Sequence, residues 1–343
     1  MSTHYAPLYA SLLIASSLTV AVNASANEAP YTYNAGVAVE APVIDGILND
    51  PVWTSAHTTS SFVVHNDGSA ASGTTWAKLA YDQDYLYVAY HSQDTDITAT
   101  FEAQDDPTFE SDDTAELFLD PDGDGKNYYE IGLTPKTYYD YVIHQPEPWT
   151  DDKDWDISGL VYASKVNGTL NDNSDVDQNF TIELKIPLAS LNYTGTNEAV
   201  NPSTWRFNFH KADYNTGAAK WAAEWLAWSP MGSFGFHQPS KFATANFTDK
   251  PLWQQSVVYL KGKTVSYQGV SYLADYYSAT AAPGLSSLDG WTPLVTEGTG
   301  VLPYNINLIY TKGYVVTFNG QQYKANWKTK GKSPASSLDW TAL

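Results

Sequence analysis

The chain of 343 residues contains no cysteine, which excludes disulfide bonds and thiolate metal sites. Basic residues are also scarce, because 18 lysines and arginines stand against 38 aspartates and glutamates, for a formal net charge of −20. Proteins that bind nucleic acid need clustered cations against the phosphates, so this balance argues against that class. Beyond the first 26 residues, no apolar run is long enough to cross a membrane as a helix.

The first 26 residues are interpreted as a secretory signal peptide. The apolar stretch APLYASLLIASSLTVAV leads to Ala24, Ser25 and Ala26, which have the small-residue spacing of a cleavage site. We therefore predict export and a secreted, extracellular protein without membrane attachment after cleavage. An uncleaved anchor is the alternative, although the run is short for a full span. Export without cysteine is typical of bacteria, where a large core needs no disulfide.

Aromatic residues, by contrast, are abundant. Tyrosine occurs 25 times and tryptophan 12 times, and aromatics make up 14% of the chain. This is more than a core usually needs, so some are expected on the surface, where exposed aromatics form binding sites. The charge is unevenly distributed: residues 1–252 carry a net −23 and residues 253–343 carry +3. Such a step indicates separate modules.

Residues 31–249 have the pattern of short β-strands. The segment NFTIELKIPL alternates apolar and polar residues, and TWRFNFHK places Trp205, Phe207 and Phe209 on one side. TTWAKLAYDQDYLYVAYHS predicts a hairpin that turns at residues 82–84, and AELFLDPDGDGKNYYEIGLT predicts a second hairpin. No long helix is indicated. The pattern therefore predicts an all-β protein, with a large antiparallel β-sandwich followed by two small β-rich aromatic modules in tandem.

The tandem modules are inferred from an internal repeat. Shifting residues 253–284 by 51 positions overlays them on residues 304–335, and Trp291 matches Trp340 after two deletions. This indicates a duplicated unit of about 42 residues. We predict modules at residues 252–294 and 303–343, joined by a linker at residues 295–302. A unit this small must bury part of its aromatics to form a core.

The repeated pattern W…Y…G…V…Y.G…Y.A.(W/Y)…P…W resembles the chitin- and cellulose-binding modules of family 5/12. The resemblance implies an aromatic platform after the Tyr-x-Ala, and hence chitin or a related β-1,4 polysaccharide as partner. The platform residues it implies are Tyr276 and Tyr277 in the first module and Trp327 in the second. Trp253 and Tyr304, at the starts of the two units, either extend the platform or belong to the core. Two weak platforms on one chain raise the apparent affinity.

The large domain resembles carbohydrate-binding module family 9, a sandwich related to the DOMON fold. The resemblance is carried by an ordered series of segments, which are VIDGILNDPVWTSA, KLAYDQDYLYVAY, SDDTAELFLDPDGDG, FTIELKIPLASL, WRFNFHK and WSPMGSFGFHQPSKFA. It implies a sugar held between two aromatic rings near carboxylates and a basic group. The corresponding residues in this chain are Phe109, Glu116, Lys211, Trp225 and Trp228. Phe109 stands where the family has tryptophan, and Lys211 stands where it has arginine. Core packing is the alternative for Trp225, as is an exposed strand position for Glu116.

The acidic turn at residues 120–125 is a candidate metal site. Asp120, Asp122 and Asp124 have the spacing of the first ligands of a calcium loop, but residue 131, where such a loop has glutamate, is isoleucine. A polar hairpin turn is one interpretation. The other is a structural Ca²⁺ site, which family 9 modules often carry. No other cofactor is expected.

These features together predict a secreted carbohydrate-binding protein that attaches to insoluble β-1,4 polysaccharide, chitin above all, and has a second sugar site in the large domain. No catalytic residue is assigned. One alternative is a chitinase- or xylanase-like glycoside hydrolase with its centre in the sandwich. Another is an adhesin that attaches cells to chitin. Modules of both families usually accompany secreted glycoside hydrolases, which are therefore expected partners.

Overall fold

The computed structural model describes residues 31–106, 111–145, 150–191, 204–219, 221–233, 235–276, 281–284, 289–294, 302–304, 306, 309–310, 312–319 and 321–343. Several features predicted above lie outside these ranges. They are the signal peptide, the sugar-binding candidates Phe109 and Tyr277, and the linker at residues 295–302 with the exception of Leu302. Within these ranges, the helices are too short to span a bilayer.

The described part of residues 31–251 forms one continuous sheet of 13 strands. The strands are β1 (Thr32–Val37), β2 (Val63–Val64), β3 (Thr75–Tyr81), β4 (Tyr85–Gln93), β5 (Thr114–Asp120), β6 (Asn127–Leu133), β7 (Tyr138–His144), β8 (Thr150–Asp152), β9 (Val161–Asn167), β10 (Asn179–Pro187), β11 (Thr204–Asp213), β12 (Glu224–Ala227) and β13 (Ala243–Pro251). Helical structure in it consists of α1 (Pro51–Ser55) and two 3₁₀ turns, Leu188–Ser190 and Pro239–Lys241. The main path runs β8-β7-β6-β5-β11-β13-β1-β3-β4-β10-β9, with β12 beside β11 and β2 beside β12.

The two halves of this sheet face each other across a shared core, which confirms the predicted sandwich. The apolar side of β10 is fully buried, as its alternation predicts, and so are Trp205, Phe207 and Phe209 on β11. Tyr90 on β4 meets Phe209 edge to face, with ring centroids 5.2 Å apart. Burial of each large apolar side chain contributes about 1.5–3 kcal/mol, so the two facing layers supply most of the stability.

Both predicted hairpins are confirmed, but the sandwich is not purely antiparallel. Asp82 accepts hydrogen bonds from the backbone N–H groups of Asp84 and Tyr85, both at 2.8 Å, and so closes the turn between β3 and β4. The β5–β6 hairpin encloses the acidic turn. Strand β1 pairs in parallel with both β3 and β13. A parallel pair needs a long crossover, which the segment from residue 38 to 74 provides between β1 and β3.

Two smaller β units follow the sandwich. The first contains β14 (Thr264–Tyr267), β15 (Val270–Ala274) and β16 (Trp291–Leu294), and the second contains β17 (Leu302–Pro303), β18 (Ile309–Tyr310), β19 (Val315–Phe318), β20 (Gln321–Ala325), β21 (Thr329–Lys330) and β22 (Trp340–Ala342). Strands β19 and β20 start 51 residues after β14 and β15, the offset of the sequence repeat. Each unit has its own aromatic core, which includes Tyr272 and Trp291 in the first and Tyr310 and Trp340 in the second.

The first small unit is docked onto the sandwich through the tip of its β14–β15 hairpin. Asn34 donates a side-chain hydrogen bond to the carbonyl of Gly269 at 2.8 Å, and the N–H of Gln268 donates to the carbonyl of Ser55 at 2.8 Å. Gly269 has a φ of +77°, and a Cβ at this position would lie 2.6 Å from the ring of the half-buried His57. Glycine is therefore required both by the turn and by the close approach of the two units.

Replacing Gly269 with alanine is expected to destabilise the protein more than the same change at Gly262. Gly262 also has a positive φ, +86°, but a Cβ there meets open space, so this variant has backbone strain alone. The clash with His57 adds about 1–3 kcal/mol to the cost at Gly269. Free energies of unfolding from urea denaturation measure both effects. Equal values for the two variants would show that the docked contact contributes nothing.

Candidate functional site

A cavity of about 270 Å³ lies on the outer face of the sandwich layer formed by β5, β6, β7 and β11. Alternate residues of β5 point into it, because side chains of a strand alternate between its two faces. Thr114, Glu116 and Phe118 therefore face the cavity, while Leu117 and Leu119 lie in the sandwich core. The same alternation brings Glu130 and Tyr141 to the cavity from β6 and β7.

The floor of the cavity is built around one tyrosine and two carboxylates. Gly132 lies between Glu116 and Tyr139 in the strand ladder, and a Cβ on it would lie 1.9 Å from the Tyr139 ring. Because Gly132 has no side chain, Tyr139 lies flat across it. The Tyr139 hydroxyl then lies 3.4 Å from Oε1 of Glu116 and 3.2 Å from Oε1 of Glu130. It carries one proton, so it can donate fully to only one of the two carboxylates.

Burial makes both carboxyl groups weak acids. Desolvation, with the neighbouring Glu130 carboxylate, raises the pKa of Glu116 well above its ordinary value. Desolvation also raises the pKa of Glu130 to about 7, against a lowering contribution from the Tyr139 hydroxyl. Oε2 of Glu116 is buried and has no hydrogen-bond partner among the described residues. The floor therefore offers an oxygen and a shared proton to a polar ligand.

The walls of the cavity are aromatic. Trp221 and Trp225 stack with ring centroids 5.9 Å apart and an angle of 25° between their planes, and Trp225 meets Phe236 at 5.4 Å. Trp221 is 55% exposed and has a φ of +68°, a conformation uncommon for a residue with a side chain. The backbone N–H of Trp221 donates a hydrogen bond to the Tyr214 hydroxyl at 3.3 Å. The exposed ring therefore stands at the edge of the cavity on a fixed backbone.

Besides His65, which lines the cavity, two histidines lie between the aromatic walls and the floor, and these are His210 and His237. His237 lines the cavity; its Nδ1 lies 2.9 Å from the Tyr128 hydroxyl and its Nε2 lies 3.8 Å from Glu130. His210 lies fully buried, stacked on Phe236 with ring centroids 4.1 Å apart. Burial lowers the pKa of His210 and lowers that of His237 to about 4, so these two imidazoles are neutral near pH 7.

This combination of stacking rings and hydrogen-bonding groups matches the chemistry of a pyranose, which has apolar C–H faces and a rim of hydroxyls. Residues 44–250, more than half of the chain, match the family model described as carbohydrate family 9 binding domain-like. The chain belongs to this family. Its family 9 domain, residues 44–250, contains the whole cavity.

Solved structures of other proteins are similar to part of this chain. A protein from Bacteroides uniformis ATCC 8492, described as a candidate carbohydrate-binding protein, superposes with a TM-score of 0.51 at 16% identity, covering 64% of this chain and 99% of its own. A family 9 module from Caldicellulosiruptor kristjanssonii in complex with glucose has 19% identity and a TM-score of 0.41, over 64% of this chain and 96% of its own. The same module in complex with cellotriose has 18% identity and a TM-score of 0.40, over 64% and 94%. The comparison with curated proteins found no match.

The structure brings two of the predicted sugar-binding residues of the family 9 domain together in the cavity, and these are Glu116 and Trp225. Phe109 lies outside the described residues. Trp228 lies in the sandwich core instead, 4% exposed, with its ring 5.4 Å from Phe207 and its Nε1 donating to Ser60. Its position on the inner side of the strand end turns it away from the cavity.

Lys211 is also placed away from the cavity. It points to the inner side of β11, where its side chain is fully buried and forms ion pairs with Asp94 at 3.0 Å and Asp213 at 2.7 Å. Burial would lower the pKa of this lysine, but Asp213, Asp94 and Asp113 together raise it above the ordinary value. Lys211 is therefore a structural cation of the family 9 domain.

Several cavity residues were not identified from the sequence. Glu130 faces the cavity because the pairing of β5 with β6 places it opposite Phe118. The pairing of β6 with β7 places Tyr139 opposite Gly132, beneath the two carboxylates. The hairpin register predicted from the turn at residues 120–125 could have located Glu130. Trp221 stands four residues before Trp225 in an irregular segment, and only the spacing of the two tryptophans hinted at their pairing. Trp155 packs against the sandwich core on Tyr129, with ring centroids 5.0 Å apart.

In the two small units, the structure separates exposed aromatics from buried ones. Tyr276 is 51% exposed and Trp327 is 50% exposed, and Nε1 of Trp327 donates to Asp339 at 3.0 Å. Trp253, by contrast, lies in the core of the first unit at 5% exposure. Tyr304 is half-buried against Trp340, with ring centroids 5.7 Å apart. Tyr276 and Trp327 are therefore half-exposed. Tyr277 lies outside the described residues.

The acidic turn between β5 and β6 forms a tight network with its own backbone. Asp120 accepts hydrogen bonds from the N–H groups of Gly123 and Gly125, both at 3.0 Å. Asp124 accepts from the N–H of Lys126 at 2.8 Å and forms an ion pair with the Lys126 ammonium at 2.9 Å. These contacts are those of a polar hairpin turn. Calcium binding at this turn stays a prediction.

Proposed function

We propose that this is a secreted carbohydrate-binding protein that uses two kinds of site. The cavity of the family 9 domain binds a single sugar residue of an oligosaccharide or polysaccharide, and the two small units hold the protein on insoluble chitin. The observation that carries the proposal is the cavity itself, where stacked tryptophan rings face a buried pair of carboxylates. Stacking and hydrogen bonding suffice for this function, and no bond of the ligand is broken.

In the cavity, each group has a distinct part. The rings of Trp221 and Trp225 offer apolar surface to the C–H face of a sugar, a contact worth on the order of 1 kcal/mol per ring. Oε2 of Glu116 accepts a hydrogen bond from a sugar hydroxyl, which removes the cost of a buried oxygen without a partner. The proton shared with Glu130 and Tyr139 lets the floor donate as well as accept.

On the small units, Tyr276 and Trp327 present one exposed ring each. Crystalline chitin has flat faces of C–H and acetamide groups that suit such rings. A single ring binds weakly, but two units on one chain raise the apparent affinity through effective concentration. Residues 253–343 carry a net charge of +3, so this part of the chain lacks the strong negative charge of the sandwich.

Variants that alter one kind of site at a time test the two kinds of site separately. Trp221→Ala is expected to weaken binding of a soluble trisaccharide, either cellotriose or chitotriose, about tenfold in calorimetry, and to leave retention on chitin beads intact. The double variant Tyr276→Ala/Trp327→Ala is expected to lose retention on chitin and to bind the trisaccharide normally. Both side chains are half-exposed in the described structure, so folding should be preserved.

Three outcomes would contradict the proposal. If the wild-type protein binds no sugar on a glycan array, the cavity is not a sugar site. If the double variant is still retained on chitin, Tyr276 and Trp327 do not form the chitin-binding surface. If the pure chain releases reducing sugar from chitin or xylan, the protein is a hydrolase, and Glu116 and Glu130 are the carboxylates to test.

A further inference from the structure

The two carboxylates in the cavity floor lack a cationic partner. Among the described residues, no lysine or arginine lies within ion-pair distance of Glu116 or Glu130. His237 lies 3.8 Å from Glu130, but burial keeps its imidazole neutral near pH 7. Lys153 also lines the cavity, but its side chain is 53% exposed and its ammonium pairs with Asp151 at 3.3 Å. The floor therefore holds acidic groups without a fixed positive charge.

Glu116 is the more enclosed of the two carboxylates. It is 5% exposed, and its Oε2 is buried without a hydrogen-bond partner in the described part of the chain. Across the β5–β11 ladder it faces His210, whose two ring nitrogens are also buried without partners there. Burial lowers the pKa of His210 well below its ordinary value, so this imidazole brings no positive charge. The Tyr90 hydroxyl donates to the backbone carbonyl of Glu116, not to the carboxylate. The free oxygen therefore fits a ligand that donates to it.

The same domain shows how a comparable set of buried carboxylates is neutralised. On the inner side of β11, the ammonium of Lys211 lies 3.0 Å from Asp94 and 2.7 Å from Asp213. In the cavity, the described part of the chain supplies no such ammonium. The cavity is bordered by the exposed ring of Trp221, so a ligand can bring the charge from solution.

We propose that the cavity selects a sugar that carries a primary amine, and that this sugar is β-1,4-linked glucosamine. The inference rests on the proposed sugar site and names the class of sugar that the site prefers. A ring ammonium has three N–H donors, which suit Oε2 of Glu116 and the nearby Glu130. A hydroxyl or an acetamide at the same ring carbon also donates, but without charge. Hydrogen bonds to charged groups are about twice as strong as neutral ones, so the amine is favoured.

The surroundings of the two carboxylates favour a sugar amine over other cations. Trp221 and Trp225 stack on the C–H face of a pyranose and also attract a positive charge to their ring faces. A lysine side chain would bring the same ammonium but no ring for these indoles. Among the described residues, no third ligand group lies close enough to Glu116 and Glu130 to form a metal cluster with them. Loss of the acetyl group from a chitin residue leaves glucosamine, so one polymer can offer ligands to both kinds of site.

The charge of the chain also favours a cationic polysaccharide. Residues 1–252 carry a net −23, whereas residues 253–343 carry +3. The negative potential of the sandwich attracts a polymer that bears ammonium groups and repels one that bears carboxylates or sulfates. Partly deacetylated chitin is a polymer of the first kind. The same potential disfavours uronic acids as ligands of the cavity.

Binding of an ammonium beside Glu116 should displace protons. Desolvation, with the carboxylate of Glu130, raises the pKa of Glu116 well above its ordinary value, and the pKa of Glu130 is raised to about 7. At pH 6 both groups therefore carry protons, which a nearby positive charge expels because it favours the ionised carboxylate. The sugar amine is already charged at this pH, since α-amino groups titrate at about 8. An amine-bearing sugar should thus release protons on binding, and a neutral sugar should not.

Calorimetry with three trisaccharides tests the preference on the full chain. Cellotriose, the N-acetylglucosamine trimer and the glucosamine trimer share one β-1,4 backbone and differ in the hydroxyl, acetamide or amine at C2. At pH 7 the glucosamine trimer is expected to bind at least about tenfold more tightly than either neutral trimer. At pH 6, titrations in two buffers of different ionisation enthalpy should show proton release with the glucosamine trimer and none with the other two.

Matched variants assign the preference to the cavity. Glu116→Gln keeps the size of the side chain and is expected to bring the ratio of the affinities for the glucosamine trimer and cellotriose close to one. Glu102→Gln removes the same charge from a side chain that is 80% exposed, and should keep the ratio. The double variant Tyr276→Ala/Trp327→Ala should also keep the ratio, because these two rings belong to the small units.

The possible results separate this inference from the proposed function. If cellotriose binds the wild-type protein as tightly as the glucosamine trimer, the cavity does not select an amine, although the proposed sugar site stands. If trilysine binds as tightly as the glucosamine trimer, or if Glu102→Gln lowers the ratio as much as Glu116→Gln, the preference is general charge attraction and the inference is wrong. If none of the three trisaccharides binds, the proposed function itself fails.

Discussion

Replacing Lys211 with methionine is expected to destabilise the protein by about 3–5 kcal/mol. The ammonium of Lys211 is fully buried with Asp94 and Asp213, and Asp113 lies in the same acidic cluster. Methionine fills much of the same volume, so packing is largely kept. What is lost is the one positive charge among three carboxylates, which then repel one another in a region shielded from water.

This effect is measured by the free energy of unfolding from urea denaturation at pH 7. Lys165→Met, at an exposed position on β9, is the matched control and should change stability by less than about 0.5 kcal/mol. Adding Asp213→Asn to the Lys211 variant should recover part of the loss, because it removes one of the unpaired charges. A loss similar to that of the Lys165 variant would mean that the buried ion pairs do not stabilise the fold.

The second large effect concerns pH and the carboxylate pair in the cavity. The pKa of Glu130 rises from an ordinary 4.5 in the unfolded chain to about 7 in the folded protein. Between these two pH values the folded state binds more protons than the unfolded state. Stability contributed by this group is therefore present below about pH 4.5 and is lost as pH rises through about 7.

Glu130→Gln removes this dependence while keeping the shape of the side chain. The variant is expected to be more stable than wild type at pH 8, by up to about 3 kcal/mol, and the advantage should shrink toward zero near pH 4.5. Comparing the two proteins at each pH cancels the titration of other buried carboxyls such as Asp120 and Asp140. Glu102→Gln, whose side chain is 80% exposed, is the control. A wild-type–variant difference that stays constant from pH 5 to pH 8 would contradict the expected titration.

The sequence predicted the sandwich well because its strands carry strong local signals. The alternation at residues 180–186, the turn at Asp82 and the aromatic face of β11 each fix which side of a strand is buried. Glu116 and Trp225 could be placed at a site because the resemblance to family 9 modules assigned them to one. The family and the all-β fold were therefore accessible before any coordinates.

What the sequence could not show depends on long-range pairing. Lys211 and His210 are adjacent on β11, and which of them faces the cavity is decided by the layer that covers each side of the strand. Trp221 reaches the cavity through an irregular segment with a left-handed backbone, which no periodicity indicates. Asp105, Asp140 and Asp156 come from three separate segments, yet one carboxylate oxygen from each lies within 4.8 Å of the other two.

The docked hairpin also sets where the chain can be divided. Strand β13 ends at Pro251, and the next residue, Leu252, is already buried, with its N–H donating to Val37 at 2.8 Å. A Cβ on Gly36 would lie 2.6 Å from the Leu252 side chain, so the two surfaces are in tight contact. A shortened chain that stops at the end of the sandwich would leave this apolar seam, with Asn34 and Ser55, open to water. We therefore expect the shortest stable fragment to contain the sandwich together with its first small unit.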